Sequence, residues 1–178
     1  GEEGRWNLNL DGASAGKSID PLLSFADKSD DWVTAAFPLF EFSGNRIKTG
    51  RVPAKRISTE NGQLRVATVF DLMAANLGVR RESDPEPTPD YPESYEDMKP
   101  YTPAWQEKIT GVPAEDAVRV AREFAENAEK TRGKSMIFLG AGTNHWYHSD
   151  MTYRTIINLT TLCGCQGVNG GGWAHYVG

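Results

Sequence analysis

Cysteine is scarce in this sequence: Cys163 and Cys165 are its only two cysteines. They stand one residue apart, and a disulfide between them would be badly strained. A disulfide-stapled secreted scaffold is therefore not indicated. The pair also falls short of the four thiolates that hold an iron–sulfur cluster. We interpret both as small residues packed at the end of a helix.

Long apolar runs and clusters of positive charge are also missing. No stretch approaches the ~20 apolar residues of a membrane-spanning helix, and no signal peptide is expected. The largest basic groups are the pairs Lys55-Arg56 and Arg80-Arg81, which argues against nucleic acid as a partner. The remaining composition, 39% apolar residues with a net charge of -5, is that of an ordinary globular protein. Any link to a membrane would then run through partner proteins.

The N-terminal part has the least regular pattern. Arg5–Leu10 alternates apolar and polar residues as a short strand does. Asp11–Lys48 is irregular, and we expect a small aromatic cluster in it, formed by Trp32, Phe37, Phe40 and Phe42. Within it, DGASAGKS (Asp11–Ser18) resembles a phosphate-binding P-loop, but only three residues separate its glycines where the motif has four. Because Pro21 would also interrupt the helix that should follow, we do not expect nucleotide binding here.

A β-hairpin is predicted next. Asn61-Gly62 is a strong hairpin-turn signal, and it stands between the strand-like segments Val52–Ile57 and Gln63–Val69. Pro53 cannot donate a ladder hydrogen bond, so it indicates an edge position in the sheet.

A short helix and a proline-rich connector follow the hairpin. Asp71–Leu77 has helical spacing, and Gly78 can end that helix in a left-handed conformation. The connector, Asp84–Pro100, contains five prolines and many acidic residues. Because proline interrupts helices and acids favour solvent, we expect this connector to be exposed and largely non-helical.

The second half of the chain is more regular. Thr102-Pro103 is an N-cap followed by a first-turn proline, and Gly111 should end that helix. Pro113 starts another helix, with acids in its first turn. Its apolar stripe consists of Ala117, Val120, Ala121, Phe124 and Ala128.

A strand, a glycine loop, a helix and a second glycine loop complete the pattern. Met136–Leu139 reads as a buried parallel strand, and Gly140 and Gly142 permit a tight turn where backbone can approach a ligand. Asp150 can cap the next helix. That helix carries the apolar residues Met151, Ile156, Ile157, Leu159 and Leu162, and a loop containing Gly164, Gly167, Gly170, Gly171 and Gly172 follows it. This alternation predicts an α/β fold with a parallel sheet whose loops offer backbone N–H groups to phosphate-like anions.

Two more specific interpretations compete at the first glycine loop. Gly140–His145 is a dinucleotide fingerprint with histidine in place of the last glycine, but no acidic residue lies ~20 positions on to bind a ribose. The nicotinamide interpretation therefore fails, while general phosphate contact stays open. His145, His148, Asp150 and His175 could form a metal site, yet the first two lie in a loop at a spacing of three, which favours solvent-facing or hydrogen-bonded histidines.

Aromatic residues are concentrated in this part of the chain: Trp146, Tyr147, Tyr153, Trp173 and Tyr176. Such a set is more often core packing than a cofactor contact. Trp173 is the exception: we expect it to contact a cofactor, because the glycines before it are typical of a loop held against a large ligand.

At these residues the sequence resembles a known family. GAGTNHWYHSDMTYR followed by CGCQGVNGGGWAHYVG is similar to the catalytic alpha subunit of membrane-bound respiratory nitrate reductase, in the dimethyl sulfoxide reductase superfamily of molybdenum enzymes. Tyr101–Met136 matches the same subunit, as do GEEGRWN at the start and, more loosely, Lys55–Gly78. Other branches often carry Asn-Gln-His after the glycine turn, whereas this chain has Asn144-His145-Trp146.

The resemblance implies a fragment of a subunit several times longer, inactive by itself. It implies reduction of nitrate to nitrite in anaerobic respiration or nitrate assimilation, at a molybdenum bis-molybdopterin guanine dinucleotide cofactor supplied with electrons through a 4Fe-4S cluster. The ligands of both metal centres would lie upstream, so no metal ligand is expected here. An iron–sulfur beta subunit and a membrane haem gamma subunit would hold the protein peripherally at the cytoplasmic face of the cell membrane.

The chain divides into portions, and the resemblance suggests a site. The residue pattern gives an irregular, hairpin-containing portion over residues 1–83, the connector over 84–100, and an α/β portion over 101–178, which the resemblance makes Rossmann-like and cofactor-contacting. Asn144, His145 and His148 would face the pterin or the nitrate pocket. The expected cofactor contacts are Gly140, Ala141, Gly142, Thr143, Asn144, His145, Gly170, Gly171, Gly172 and Trp173. The alternative is a subunit-interaction module that makes no direct cofactor contact, in which the acidic connector and the aromatic cluster bind the electron-transfer subunit.

Overall fold

The computed structural model describes residues 22–41 and 44–176. The predicted strand Arg5–Leu10 and the P-loop-like Asp11–Ser18 lie outside these residues. The described residues divide into two compact units, one within Ser18–Glu115 and the other within Asp116–Gly178. The described part of each unit contains one sheet.

The first unit contains a three-stranded antiparallel sheet in the order β1-β2-β3. Its strands are β1 (Asp31–Glu41), β2 (Gly44–Thr59) and β3 (Gly62–Val66). The expectation of irregular structure up to Lys48 is therefore wrong for residues 31–41 and 44–48.

In β1, the partly or fully buried Val33, Ala35, Phe37 and Leu39 alternate with exposed residues. The backbone of β1 pairs along its whole length with the longer strand β2. The expected aromatic cluster is wrong for Trp32 and Phe37, because side chains an odd number of positions apart in a strand point to opposite faces. Phe42 and the side chain of Phe40 lie outside the described part of the chain.

The predicted hairpin is present. Gly62 has φ +107° at the turn between β2 and β3, a conformation that glycine adopts at little cost. Although β2 is the central strand, residues 44–54 pair with β1 and residues 55–59 pair with β3. Pro53 lies in the stretch that pairs with β1 only, so one side of the strand has no partner at that position among the described residues, as the predicted edge position requires.

Helix α1 spans Val69–Leu77 and packs against β2. Thr68 caps it by accepting a hydrogen bond from the backbone N–H of Asp71, and Gly78 ends it in the left-handed conformation at φ +78°. The predicted stop is confirmed, and the helix starts two residues before the prediction.

The connector Asp84–Pro100 has no helix or strand, as predicted, but it is not uniformly exposed. Asp84 and Tyr91 are buried. The Tyr91 hydroxyl accepts from the Arg51 backbone N–H at 2.8 Å, and the Arg51 Nε donates to the Asp84 carboxylate at 3.4 Å. These contacts hold the connector against β2. The tyrosine brings an apolar ring, and the carboxylate is paired with Arg51, so both residues can be buried although the connector is rich in acids.

Two helices follow the connector. Helix α2 (Pro103–Thr110) has Thr102 as its N-cap, a proline in its first turn and Gly111 as a left-handed C-cap, all as predicted. Helix α3 (Ala114–Thr131) begins just after Pro113. Its predicted apolar stripe is only partly covered, since Ala128 is buried and Val120 is exposed.

The second unit contains a two-stranded parallel sheet. Strand β4 (Met136–Leu139) pairs with β5 (Gly172–His175), and the crossover between them contains α4 (Ala141–Asn144) and α5 (Ser149–Leu162). This β-α-β unit confirms the predicted α/β class with a parallel sheet. The prediction that β4 is buried is wrong, because Phe138 is 78% exposed on the face that α5 does not cover.

Helix α5 is not capped as the sequence predicted. Its N-cap is His148, in the left-handed region at φ +63° and without a side-chain capping bond, while Asp150 lies in the first turn. Asp150 therefore favours this helix through the helix dipole rather than as a cap. None of the helices in the described part of the chain is both long and apolar enough to cross a bilayer.

Candidate functional site

The carboxyl ends of β4 and β5 meet at one edge of the parallel sheet. Leu139 stands opposite His175, and the Tyr176 backbone N–H donates to the Leu139 carbonyl at 2.8 Å. The predicted loop, Gly140–His145, leaves β4 at this edge. In open α/β sheets ligands bind outside the carboxyl ends of the strands. We therefore define the β4 edge as Gly140–His145 together with His148, Tyr153 and His175.

The loop after β4 closes into a single helical turn. The Gly140 carbonyl accepts from the backbone N–H of Thr143 at 3.0 Å and of Asn144 at 3.2 Å, and from the Thr143 hydroxyl at 3.0 Å. Such a turn leaves its first N–H groups, those of Ala141 and Gly142, without intrahelical partners. A Cβ on Gly142 would meet no atom within 4 Å, and its φ lies outside the left-handed region. A side chain at Gly142 would therefore not strain the turn within the described part of the chain.

Asn144 ends this turn with an unpaired polar atom. Its Oδ1 is buried and has no hydrogen-bond partner among the described residues. An unsatisfied buried acceptor costs about 1–3 kcal/mol, so a donor from outside these residues would stabilise it. This is the feature expected of a side chain that contacts a ligand.

The next residues project from the edge. His145, Trp146, Tyr147 and His148 are all exposed. The ring centroids of Tyr147 and His148 are 4.2 Å apart in an edge-to-face arrangement. A non-glycine residue in the left-handed region is uncommon and concentrates at functional sites. The conformation of His148 therefore adds a structural reason to its place among the candidates.

An aromatic trio lies between α5 and β5. The Tyr153 hydroxyl and His175 Nε2 are 3.1 Å apart, within hydrogen-bonding distance. The ring centroids of Tyr153 and Trp173 are 5.0 Å apart, and those of Trp173 and His175 are 5.2 Å apart. Trp173 Nε1 is buried without a partner among the described residues. The sequence indicated these residues singly, and spacing alone could not reveal that they meet.

The second glycine cluster, Gly170–Gly172, lies at the other end of the sheet. Gly172 stands opposite Met136, the first residue of β4. Three residue steps along a strand separate this end from the β4 edge, about 10 Å. The two predicted glycine loops are therefore not brought together.

Internal packing accounts for glycine at position 171. A Cβ on Gly171 would overlap the Gly133 carbonyl oxygen and lie 2.9 Å from the Cys165 carbonyl oxygen. Cofactor contact by Gly170–Gly172 stays a prediction, and it is not needed to explain the glycine at 171.

The cysteines and histidines do not form a metal-binding group in the described part of the chain. No set of three or more His, Cys, Asp or Glu side chains there could hold a metal ion. Cys165 is fully buried, in agreement with small residues packed at a helix end. Burial also raises the pKa of the Cys163 thiol, which disfavours the thiolate that a metal would require.

Comparison with known proteins identifies the family. The molybdopterin oxidoreductase family matches residues 22–177. The chain belongs to the molybdopterin oxidoreductases. It is 45% identical to the nitrate reductase alpha chain of Bacillus subtilis over 98% of its own length, and 45% identical to the respiratory nitrate reductase 1 alpha chain of Escherichia coli over 100%. It spans only 14% and 15% of those chains.

A third relative is the perchlorate reductase alpha subunit of Dechloromonas aromatica. It is 48% identical over 46% of this chain and 8% of its own length. Similarity across the whole chain therefore favours the nitrate reductase branch, as the sequence predicted.

Membership of this family implies a molybdenum–pterin cofactor. The β4 edge of this molybdopterin oxidoreductase fits part of such a group in two respects. Within the described part of the chain, Asn144 of the edge presents a buried acceptor without a donor. Trp173, whose ring lies beside those of Tyr153 and His175, presents a buried donor without an acceptor there. The space around Gly142 is open. A pterin carries ring N–H groups and acceptor atoms that could satisfy both side chains.

Proposed function

We propose that this chain is part of the catalytic alpha subunit of a respiratory nitrate reductase, which reduces nitrate to nitrite. The observation that carries the proposal is its 45% identity to two nitrate reductase alpha chains over 98% and 100% of its length. Asn144-His145-Trp146 after the glycine turn supports the same branch.

The cofactor of the whole subunit would be a molybdenum bis-molybdopterin guanine dinucleotide, which supplies the two-electron oxygen-transfer chemistry. Asn144 and the open backbone at Ala141 and Gly142 would contact it from this chain. Trp173 would contribute an indole N–H, and Gly170–Gly172 would be a separate contact. The ligands of the molybdenum and of a 4Fe-4S cluster would lie outside this chain.

The histidines of the β4 edge would act on the substrate. Nitrate carries its negative charge on oxygens that accept hydrogen bonds, and an imidazole N–H of His145 or His148 can donate to them. Both side chains are exposed at the edge. The Tyr153–His175 pair would fix the orientation of the His175 ring. These residues would bind and orient the anion while the cofactor carries the reaction.

Partners and location follow from the same proposal. The whole subunit would receive electrons from an iron–sulfur beta subunit and a membrane haem gamma subunit, and it would lie peripherally at the cytoplasmic face of the membrane. A pulldown of tagged beta subunit with the intact alpha subunit tests the first of these contacts.

Two variants of the intact subunit test the cofactor contact. Gly142→Val places a branched side chain where the backbone would approach the cofactor, so we expect molybdenum content to fall severalfold. Asn144→Ala removes one polar side chain, so it should retain more molybdenum and reduce turnover or nitrate affinity. Molybdenum per protein and nitrate kinetics are measured for both.

Ala121→Val on the exposed surface of α3 is the matched control, since it adds a branched side chain away from the β4 edge. It should keep full molybdenum content. Full occupancy and unchanged kinetics in Gly142→Val would show that the loop is structural and would remove the site assignment.

Perchlorate reduction is a second candidate, supported by the 48% identity over 81 residues to a perchlorate reductase subunit. The ratio of kcat/KM for nitrate to that for perchlorate distinguishes the two activities. The remaining alternative, a subunit-interaction module without cofactor contact, predicts that Gly142→Val and Asn144→Ala leave both molybdenum and kinetics unchanged.

A further inference from the structure

One edge of strand β2 has no strand partner in the described part of the chain. Residues 44–54 of β2 pair with β1 on one side, while β3 pairs on the other side only with residues 55–59. We call the side left open beside residues 49–53 the β2 edge. Backbone N–H and C=O groups at an open edge are a template on which a further strand can pair. The partners of these groups therefore decide whether another strand can add to the sheet.

Side chains of the connector, rather than a strand, satisfy the β2 edge. The Asp90 carboxylate accepts the Thr49 N–H at 2.7 Å. The Tyr91 hydroxyl accepts the Arg51 N–H at 2.8 Å and donates to the Arg51 carbonyl at 3.2 Å. Alternate residues of a strand direct these groups to the same side, and the next one along, Pro53, has no N–H. One tyrosine hydroxyl therefore bonds the two backbone groups of Arg51 that a residue of an added strand would bond.

Further contacts fix this part of the connector on the sheet. Tyr91 is buried, with 5% of the residue exposed. The Thr88 and Thr49 hydroxyls are 2.9 Å apart, within hydrogen-bonding distance. A Cβ on Gly78 would lie only 2.9 Å from Pro92 Cδ, so the connector also packs closely against the end of α1. We call residues 88–92, which are held at both ends in this way, the edge cap.

The edge cap cannot itself extend the sheet. It contains no strand, and its residues Pro89 and Pro92 have no backbone N–H to donate. Proline is one of the devices that prevent pairing at the edge of a sheet. The cap therefore closes the β2 edge without creating a new one.

The sequence of β2 would suit pairing with a second copy if the cap were displaced. In an antiparallel pair centred on Gly50 of both copies, Thr49 of one copy stands opposite Arg51 of the other. The outward N–H groups that the cap now occupies would then bond the facing carbonyls across a two-fold axis. Lys48 would stand opposite Val52, so between positions 48 and 52 no two like charges are directly opposed.

We propose that the edge cap prevents a second copy of this chain from pairing with the β2 edge, and that Asp90 and Tyr91 hold the cap closed. Loss of their bonds would leave the Thr49 and Arg51 N–H groups and the Arg51 carbonyl open to the same edge of another copy. The inference concerns the first unit alone and does not depend on the nitrate reductase proposal.

Asp90→Ala combined with Tyr91→Phe tests the cap in the intact protein. This double variant removes the bonds from the cap to the Thr49 and Arg51 backbone and keeps the buried aromatic ring. Sedimentation velocity should then show a concentration-dependent species of twice the mass of the unaltered protein. Hydrogen exchange measured by mass spectrometry should show residues 49–53 becoming more protected as this dimer forms. An unchanged mass overturns the proposal.

Two further variants separate edge pairing from association caused by loss of stability. Val52 is 1% exposed, so Val52→Ala should lower the free energy of unfolding, and it should leave the mass unchanged because the cap is intact. Thr49→Pro, added to the double variant, removes an outward N–H and should restore the original mass. A dimer formed by Val52→Ala, or one that persists with Thr49→Pro, overturns the proposal.

Tyr91→Phe alone keeps the test decisive if the double variant fails to fold, because it loses a single hydroxyl. The same dimer should then form at a higher protein concentration. In dilute protein the Arg51 amide should exchange faster than in the unaltered protein, since its acceptor is gone. A mass that stays unchanged at the highest concentration overturns the proposal, whatever the exchange rate.

Discussion

The two units differ in how far their described residues bury their own apolar side chains. In the first unit a core forms around β1, β2 and α1, and it includes Leu39, Val52, Ala54, Ala74, Ala75 and Tyr91. In the described part of the second unit the buried apolar residues are only Ala128 and Cys165. Large exposed apolar residues occur in both units, among them Ile47 and Val69 in the first and Phe138 and Tyr147 in the second. The difference therefore lies in the buried residues: the described part of the first unit forms a core of its own, and that of the second buries no large apolar side chain completely.

The exposed apolar residues of the second unit have a functional interpretation. Large contiguous apolar surface on a folded protein marks contact with a ligand or with further protein. The second unit contains the β4 edge and the exposed face of β4 at Phe138. Since the chain spans 14% and 15% of its nitrate reductase relatives, we infer that cofactor and additional chain cover these surfaces in the whole subunit.

The largest expected effect is in the first unit, at Asp71. Its carboxylate is almost fully buried and accepts from the Ser24 hydroxyl at 2.6 Å, the Phe25 N–H at 2.8 Å and the Thr68 hydroxyl at 2.9 Å. Arg81 lies 3.5 Å away. Asp71→Ala would leave these donors unpaired, so we expect the free energy of unfolding to fall by about 3–5 kcal/mol. Urea denaturation followed by tryptophan fluorescence measures it.

The matched control is an acidic residue on a helix surface. Asp116 pairs with Arg119 at 3.1 Å, and both side chains are at least half exposed. Asp116→Ala should cost less than about 0.5 kcal/mol. Similar losses for Asp71→Ala and Asp116→Ala would contradict a self-sufficient core in the first unit.

The next effect compares the two glycine loops of the second unit. Gly171→Ala would place a methyl group against the Gly133 and Cys165 carbonyls, and we expect a loss of about 2–3 kcal/mol in the free energy of unfolding. Gly142→Ala adds its methyl group to open space and should change stability by less than about 0.5 kcal/mol. Thermal unfolding of the pair measures the difference, and equal effects would reject the assignment of Gly171 to packing.

Local signals in the sequence predicted most helices and turns of this fold. These signals act through backbone conformations that depend on only one or two residues. They are the caps of α2 at Thr102-Pro103 and Gly111, the end of α1 at Gly78, and the hairpin turn at Asn61-Gly62. Strand β1 was not predicted, because its pairing with β2, rather than the propensity of its own residues, decides that it is a strand.

The sequence predicted only part of the candidate site. The loop Gly140–His145 stands out because glycines and polar residues follow an apolar strand. The Tyr153–His175 pair and the burial of Lys48 could not be predicted, because each depends on contacts between residues of separate elements. The opposite positions of the two glycine loops depend on strand register, which no local motif specifies.

The third prediction uses pH to examine the buried charge of the first unit. The pKa of Lys48 is lowered from 10.5 to about 8, so between these values the folded protein binds fewer protons than the unfolded chain. Stability should therefore rise with pH, by about 1–2 kcal/mol between pH 7.5 and 9.5.

Chemical denaturation at a series of pH values measures this slope. Lys48→Met should remove most of it, whereas Lys108→Met should keep it. Burial raises the pKa of Tyr91, which reverses the slope above pH 10, so the comparison stays below that pH. A slope that persists in Lys48→Met would assign the titration to another group.

The smallest expected effect tests the aromatic trio of the second unit. Tyr153→Phe keeps the ring that contacts Trp173 and removes the hydroxyl that lies 3.1 Å from His175 Nε2. Because His175 is exposed, water can replace the lost partner, and we expect a loss of only about 0.5 kcal/mol in the free energy of unfolding. Tyr147→Phe, on a residue that is 90% exposed, is the matched control and should have no measurable effect. If Tyr153→Phe also lowers the nitrate kcat/KM severalfold in the intact subunit while Tyr147→Phe does not, the pair orients His175 for substrate. A change in stability alone would make it part of the packing between α5 and β5.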